Sequence, residues 1–212
     1  MNTTRSVPWK YLQVLARVLT TFLFDLKIDG LENIPVSGGV LIVSNHQSYL
    51  DPVLLAVRLN RPLNYIAKSE LFKNRYGAWF LRSVLNAFPV RQGTNDVGAV
   101  RETIRRLHDG HALNIFPEGG RTEDGEIAKL QKGVALIVRR ANVPIVPAVI
   151  VGSFRAWPIS RRIWRVSPIQ IRYGTAMDLA GLERDEILAT IDRTLREMFD
   201  DLRDGDAHAR AR

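Results

Sequence analysis

A single three-layer α/β domain with a largely parallel, mixed sheet is what this sequence predicts, on three observations. Short apolar runs recur through the middle of the chain at Val40–Val43, Leu63–Ala67, Ala87–Val90, Ala112–Phe116 and Pro144–Val151. Segments with helical periodicity separate most of them, the pattern of strands joined by crossover helices. At 212 residues the chain is long enough for one sizeable core. Functional loops in such a domain gather at one end of the strands.

Taken in order, residues 1–26 read as an N-terminal amphipathic helix. Tyr11–Leu26 is apolar over much of its circumference but carries Gln13, Arg17 and Asp25. It is too short and too interrupted for a membrane span, and Trp9, Tyr11, Phe22 and Phe24 suit a lipid interface. A helix packed on the core is the equal alternative. The opening MNTTRSVPWK lacks the apolar core and cleavage site of a secretory leader.

The α/β domain is expected over 27–204. Lys27–Leu31 reads as an edge strand closed by turn residues. Val40–Val43 is a buried strand leading into NHQSYLD, Asn45–Asp51. On a continuous helix His46 and Asp51 would stand about 140° apart and never meet, so this segment must turn. Asp51-Pro52 has the form of an N-cap followed by proline in the first helical turn. A carboxylate folded back on His46 would fix one ring nitrogen and leave the other to take a proton from a hydroxyl.

Leu63–Ala67 delivers Lys68 to a strand end, and Tyr76–Leu85 reads as a helix with an aromatic face. Ala87–Val90 reads as a core strand that hands Arg91 to the loop 92–96. From Arg58 to Arg91 seven basic residues stand against the single acid Glu70, a place where an anion could gather. Val97–His108 is amphipathic, with Val97, Val100, Ile104 and Leu107 on one face and Gly110 ending it. Ala112–Phe116 runs into Pro117–Thr122, PEGGRT. There glycine amides and Arg121 can meet an anion, with Arg91 as a second cation; an ordinary turn with a Glu118–Arg121 ion pair is the alternative.

Lys132–Arg140 reads as a helix, Ile169–Tyr173 as the last strand, and Glu183–Leu202 as a final amphipathic helix. A flexible tail is expected over 205–212. Phe154–Arg172 holds five arginines and no acids, interleaved with Trp157 and Trp164.

Charge and composition narrow the function. The net charge is +8, but Asp178–Asp206 holds ten acidic and four basic residues, leaving 26 basic against 12 acidic, or +14, on the remainder. Such a body favours an anionic partner. Cysteine is absent, which excludes disulfides, a thiol nucleophile and cysteine-ligated metal. No Gly-x-Ser-x-Gly elbow is present either.

Four ordered blocks, NHQSYLD, AFPVRQG, FPEGGRT and VPIVPAVI, resemble those of the glycerolipid acyltransferase family typified by 1-acyl-glycerol-3-phosphate acyltransferases. They span Asn45–Ile150, half the chain, and AKSELF at Ala67–Phe72 resembles the family's intervening segment. The resemblance implies that His46 is a general base partnered by Asp51, activating an acceptor hydroxyl to attack an acyl thioester directly. It further implies that Arg91, Glu118, Gly119 and Arg121 hold the glycerol phosphate, that Pro147 shapes the adjoining wall, and that Lys68 assists with phosphate or oxyanion. Acyl-CoA or acyl carrier protein would enter as co-substrate, with no cofactor or metal. The expected partners are that donor, a lysophospholipid and an anionic membrane surface rather than nucleic acid, with peripheral placement at the cytoplasmic face.

One departure stands out. Gly120 lies where the family has threonine, and Thr122 replaces serine. This opens the acceptor to alternatives: glycerol 3-phosphate, a lyso-aminolipid or a glycolipid. A non-catalytic protein binding anionic lipid or nucleic acid through Arg155, Arg161, Arg162 and Arg165 is the rival from another class.

Overall fold

The chain builds one seven-stranded sheet in the order β1-β7-β6-β2-β5-β3-β4. The computed structural model describes the backbone of residues 7–90 and 97–210, and side chains over 13–90 and 97–205. The strands are β1 (Lys27–Asp29), β2 (Val40–Ser44), β3 (Leu63–Lys68), β4 (Ala87–Val90), β5 (Ala112–Ile115), β6 (Ile145–Val151) and β7 (Gln170–Tyr173). The five strands β2 to β6 are mutually parallel, while β7 runs antiparallel to β6 and parallel to β1. The mixed, largely parallel sheet expected from the sequence is therefore present.

Strand β2 lies between β5 and β6, and every one of its residues is buried. A strand covered on both faces needs apolar side chains pointing both ways, which explains the unbroken run Val40–Val43. Leu41 and Val43 face one layer and Val40 and Ile42 the other. The first layer holds α4 (Val97–His108), α5 (Gly133–Ala141) and α7 (Arg184–Arg210); the second holds α1 (Val7–Phe24) and α2 (Asp51–Ala56). Two further helices, α3 (Arg75–Ser83) and α6 (Ser153–Ala156), follow β3 and β6.

Several expectations need correction. Ala87–Val90 is the edge strand beside β3, not a core strand. On α4 the buried residues are Ala99, Thr103 and Leu107, whereas Val97 is 60% exposed. The face is rotated because Thr103 satisfies its hydroxyl on the Ala99 carbonyl at 2.8 Å and so tolerates burial. Helix α7 continues to Arg210, past Gly205, where the sequence suggested a tail.

Helix α1 is turned inside out relative to a soluble amphipathic helix. Gln13 donates to the Leu59 carbonyl at 3.0 Å, and Arg17 Nε donates to the Val57 carbonyl at 2.8 Å. These carbonyls lie just past the end of α2, where backbone acceptors lack helical partners. The polar residues that interrupt the apolar segment thus dock the helix. Val14, Leu15, Val18, Leu19 and Phe22 face outward instead, with Phe22 84% exposed. Phe24 does not join them; it is buried. The Trp9 and Tyr11 side chains lie outside the described residues. Among the described residues no helix is long and apolar enough to cross a membrane.

Candidate active site

Parallel strands set the site. β2 ends at Ser44, β3 at Lys68, β5 at Ile115 and β6 at Val151, so the residues that follow each share one edge of the sheet. Asn45 clamps the first of these ends, donating to the Ile150 carbonyl at 3.0 Å and accepting from the Ile150 N–H at 2.8 Å. This amide bridge pins the exit of β2 against β6.

The chain then turns, and Asp51 closes the turn. Its Oδ2 accepts from the backbone N–H groups of Gln47 and Ser48, each at 2.7 Å, and from His46 Nδ1 at 2.9 Å. The cap differs from expectation: Leu50 precedes the helix and Asp51 is its first residue, with no side-chain cap bond. Its carboxylate is spent on the turn instead. Because a carboxylate only accepts, Nδ1 carries the proton and Nε2 presents its lone pair. Asp51 is fully buried and the His46 side chain is 17% exposed, so the pair opens outward through the imidazole.

Phe116, at the exit of β5, stacks on that ring with centroids 3.8 Å apart and planes inclined by 14°. Two chain-distant bonds hold the His46 backbone. Its N–H donates to Glu118 Oε1 at 2.7 Å and its carbonyl accepts from the Thr122 N–H at 2.9 Å.

Glu118 thus contacts the histidine turn directly. It is 7% exposed, and its second oxygen accepts from the Ala128 N–H at 2.8 Å. It braces the histidine turn against the segment after PEGGRT and makes no ion pair with Arg121. Burial pushes its carboxyl up to about 7, with the Asp51 charge adding to the rise, while the two N–H donors and Arg196 oppose it.

Protonation would turn one of those acceptor oxygens into a donor and loosen the brace. Turnover is thus expected to carry an acid-side component with its inflection near pH 7, and Glu118→Gln removes that component. The stability effect has the opposite sign. A carboxyl raised from 4.5 to about 7 contributes fully below 4.5 and loses that contribution as pH rises through about 7. Thermal melts of both proteins between these limits, beside pH–rate profiles, check both signs.

Arg121 lies over the Tyr49 ring, its guanidinium carbon 3.7 Å from the centroid. Tyr49 belongs to the histidine turn, so the two loops meet in this contact as well. Gly119 has φ 76°, and a Cβ there would stand 3.1 Å from Gln131 Cγ, which accounts for glycine. Gly120 has nothing within 4 Å of a Cβ, so a side chain there would face open space.

Lys68 is exposed at the end of β3, which is separated from β2 by β5. Two strand spacings put it about 10 Å across the sheet. Arg91 lies outside the described residues. Pro147 is buried within β6, and its ring lies on the α7 side, where a Cβ on Gly174 would stand 2.9 Å from it and 2.8 Å from Met198 sulfur.

The structure thus joins His46, Asp51 and Glu118 by direct bonds and brings Arg121 to the same turn. Phe116, Tyr49 and Asn45 complete the site without any spacing signal of their own, although all three lie within the quoted blocks.

A family model described as Acyltransferase matches residues 25–151. The chain is 26% identical over 198 residues to the 1-acyl-sn-glycerol-3-phosphate acyltransferase of Bacillus subtilis, covering 92% of this chain and 96% of that protein. It is 28% identical over 138 residues to a chloroplastic enzyme of the same name from Arabidopsis thaliana, of which it spans 38%. The crystal structure of the 1-acyl-sn-glycerophosphate (LPA) acyltransferase PlsC from Thermotoga maritima superposes with a TM-score of 0.77 at 26% identity, covering 92% of this chain and 79% of that one. With more than half of its length matched by the family model and the histidine turn inside that match, the chain belongs to the acyltransferase family.

Proposed function

We propose that the protein transfers a fatty acyl group from an acyl thioester, carried by coenzyme A or acyl carrier protein, to the free hydroxyl of 1-acyl-glycerol-3-phosphate, giving phosphatidate. The observation that carries this reading is the buried Asp51 carboxylate on His46 Nδ1 at 2.9 Å, beside an arginine loop. The names of the relatives supply the acceptor. His46 Nε2 takes the proton of the acceptor hydroxyl as its oxygen attacks the thioester carbonyl. Asp51 stabilises the imidazolium so formed. When the tetrahedral intermediate collapses, the carbon–sulfur bond breaks and the thiolate takes the proton back from Nε2.

No acyl-enzyme is required, in keeping with a chain that has no cysteine. Arg121, Gly119 and Arg91 bind the acceptor phosphate, and Lys68 answers charge on the donor or the oxyanion. Glu118 keeps the histidine turn in place rather than touching substrate. The protein works peripherally on an anionic membrane surface at its cytoplasmic face.

The test is thiol release from acyl-CoA with and without lysophosphatidate in liposomes. Release that depends on lysophosphatidate and yields phosphatidate supports the reading; release unchanged by any acceptor overturns it. Arg121→Ala is expected to raise KM for phosphorylated acceptors about tenfold or more and to leave neutral ones nearly unaffected. A second acceptor is favoured by one observation, the open space at Gly120. Glycerol 3-phosphate, a lyso-aminolipid and a glycolipid belong in the same panel.

A further inference from the structure

Between α6 and β7 the chain breaks the usual rule for a surface loop. Residues 161–166, RRIWRV, are all exposed. Ile163 is 76%, Val166 67% and Trp164 40% exposed. Large apolar side chains presented together on a surface mark a contact with something less polar than water.

The loop is built, not slack. The Arg161 N–H donates to the Pro158 carbonyl at 3.1 Å, Trp157 Nε1 to the Arg161 carbonyl at 3.1 Å, and the Arg165 N–H to the Ala156 carbonyl at 2.8 Å. Gly152, which precedes α6, has φ 93°, and a Cβ there would collide with the Pro168 carbonyl oxygen at the far end of the loop.

Charge and neighbours define the partner. The guanidinium groups of Arg161, Arg162 and Arg165 have no ion pair among the described residues, and 154–172 contains no acid. Trp164 meets Phe24 edge-on, centroids 5.7 Å apart, at the end of α1. The outward row Val14, Leu15, Val18, Leu19 and Phe22 lies on that same helix. An apolar row beside an arginine-rich loop matches hydrocarbon beneath phosphate.

Because β6 ends and the antiparallel β7 begins at this edge, the loop stands beside the histidine turn. Ser48 Oγ donates to the Trp157 carbonyl at 2.8 Å, and the Tyr49 and Trp157 rings lie 5.2 Å apart. Tyr49 in turn carries Arg121.

We propose that residues 157–166 form a bilayer-docking element at the rim of the active site. Ile163, Trp164 and Val166 enter the acyl region of an anionic lipid surface while Arg161, Arg162 and Arg165 bind lipid phosphates. Trp157 and Tyr49 link the docked loop to Arg121. This rests on the reading that the protein works at a membrane, and it names the loop that docks.

The test needs no turnover, so its failure is separate from failure of acyl transfer. The full chain is co-sedimented with phosphatidylcholine vesicles and with mixed phosphatidylcholine–phosphatidylglycerol vesicles. R161Q/R162Q/R165Q is expected to weaken binding to the anionic vesicles roughly a hundredfold at low salt, with little effect on neutral ones. I163S/V166S weakens binding to both by roughly tenfold or more. Trp164 emission shifts to the blue on binding, and W164F loses that component. Thermal melts verify that each variant is folded. Folded variants that bind vesicles as the wild type does overturn the proposal. So does arginine-dependent binding of soluble RNA or acyl carrier protein by a wild-type chain that ignores vesicles.

Discussion

His46→Ala is expected to lower acyl transfer by about 10³–10⁴-fold while the protein stays folded. The fold should survive because the turn is held through the backbone of residue 46. Its N–H donates to Glu118 and its carbonyl accepts from Thr122, and alanine keeps both bonds. What goes is the imidazole, with its bond to Asp51 and its stack on Phe116. Losing a partly exposed ring costs about 1 kcal/mol or less beyond the vacated Asp51 bond. Thiol release from acyl-CoA at saturating acceptor measures the first quantity, and a thermal melt the second. A folded variant with undiminished turnover would remove His46 from the mechanism.

The parts that were legible in the sequence are those whose cause is local. The runs Val40–Val43 and Pro144–Val151 give their strands to within a residue, because a strand buried on both faces has few alternatives to aliphatic side chains. His46 and Asp51 were legible for a related reason: standing five residues apart between a strand end and a Pro-started helix, they leave the carboxylate little choice but to fold back. The inward side of α1 and the buried face of α4 are less legible, because polar side chains with backbone acceptors replace apolar periodicity there. Gln13 and Arg17 face inward because carbonyls past the end of α2 need donors. Thr103 is buried because its hydroxyl has a backbone acceptor. The brace by Glu118 and the stack of Phe116 could not be read from spacing, since they depend on β5 lying next to β2. Only the sheet order supplies that fact.

Asp51 separates structure from chemistry in a way that two substitutions can resolve. Its Oδ2 accepts three donors, while Oδ1 is buried with no hydrogen-bond partner. Asp51→Ala leaves the Gln47 and Ser48 N–H groups and the imidazole without their acceptor, an expected loss of about 3–5 kcal/mol. Asp51→Asn can keep the amide oxygen in the Oδ2 position, so the turn and its backbone bonds persist, with its NH₂ group in the unpartnered place. What it cannot keep is the negative charge that stabilises imidazolium once the acceptor proton has moved to Nε2. Turnover should therefore fall by about 10²–10⁴-fold with a small change in thermal midpoint. Near-normal turnover in Asp51→Asn would mean that the buried carboxylate serves only to shape the turn, and that proton transfer at His46 needs no countercharge.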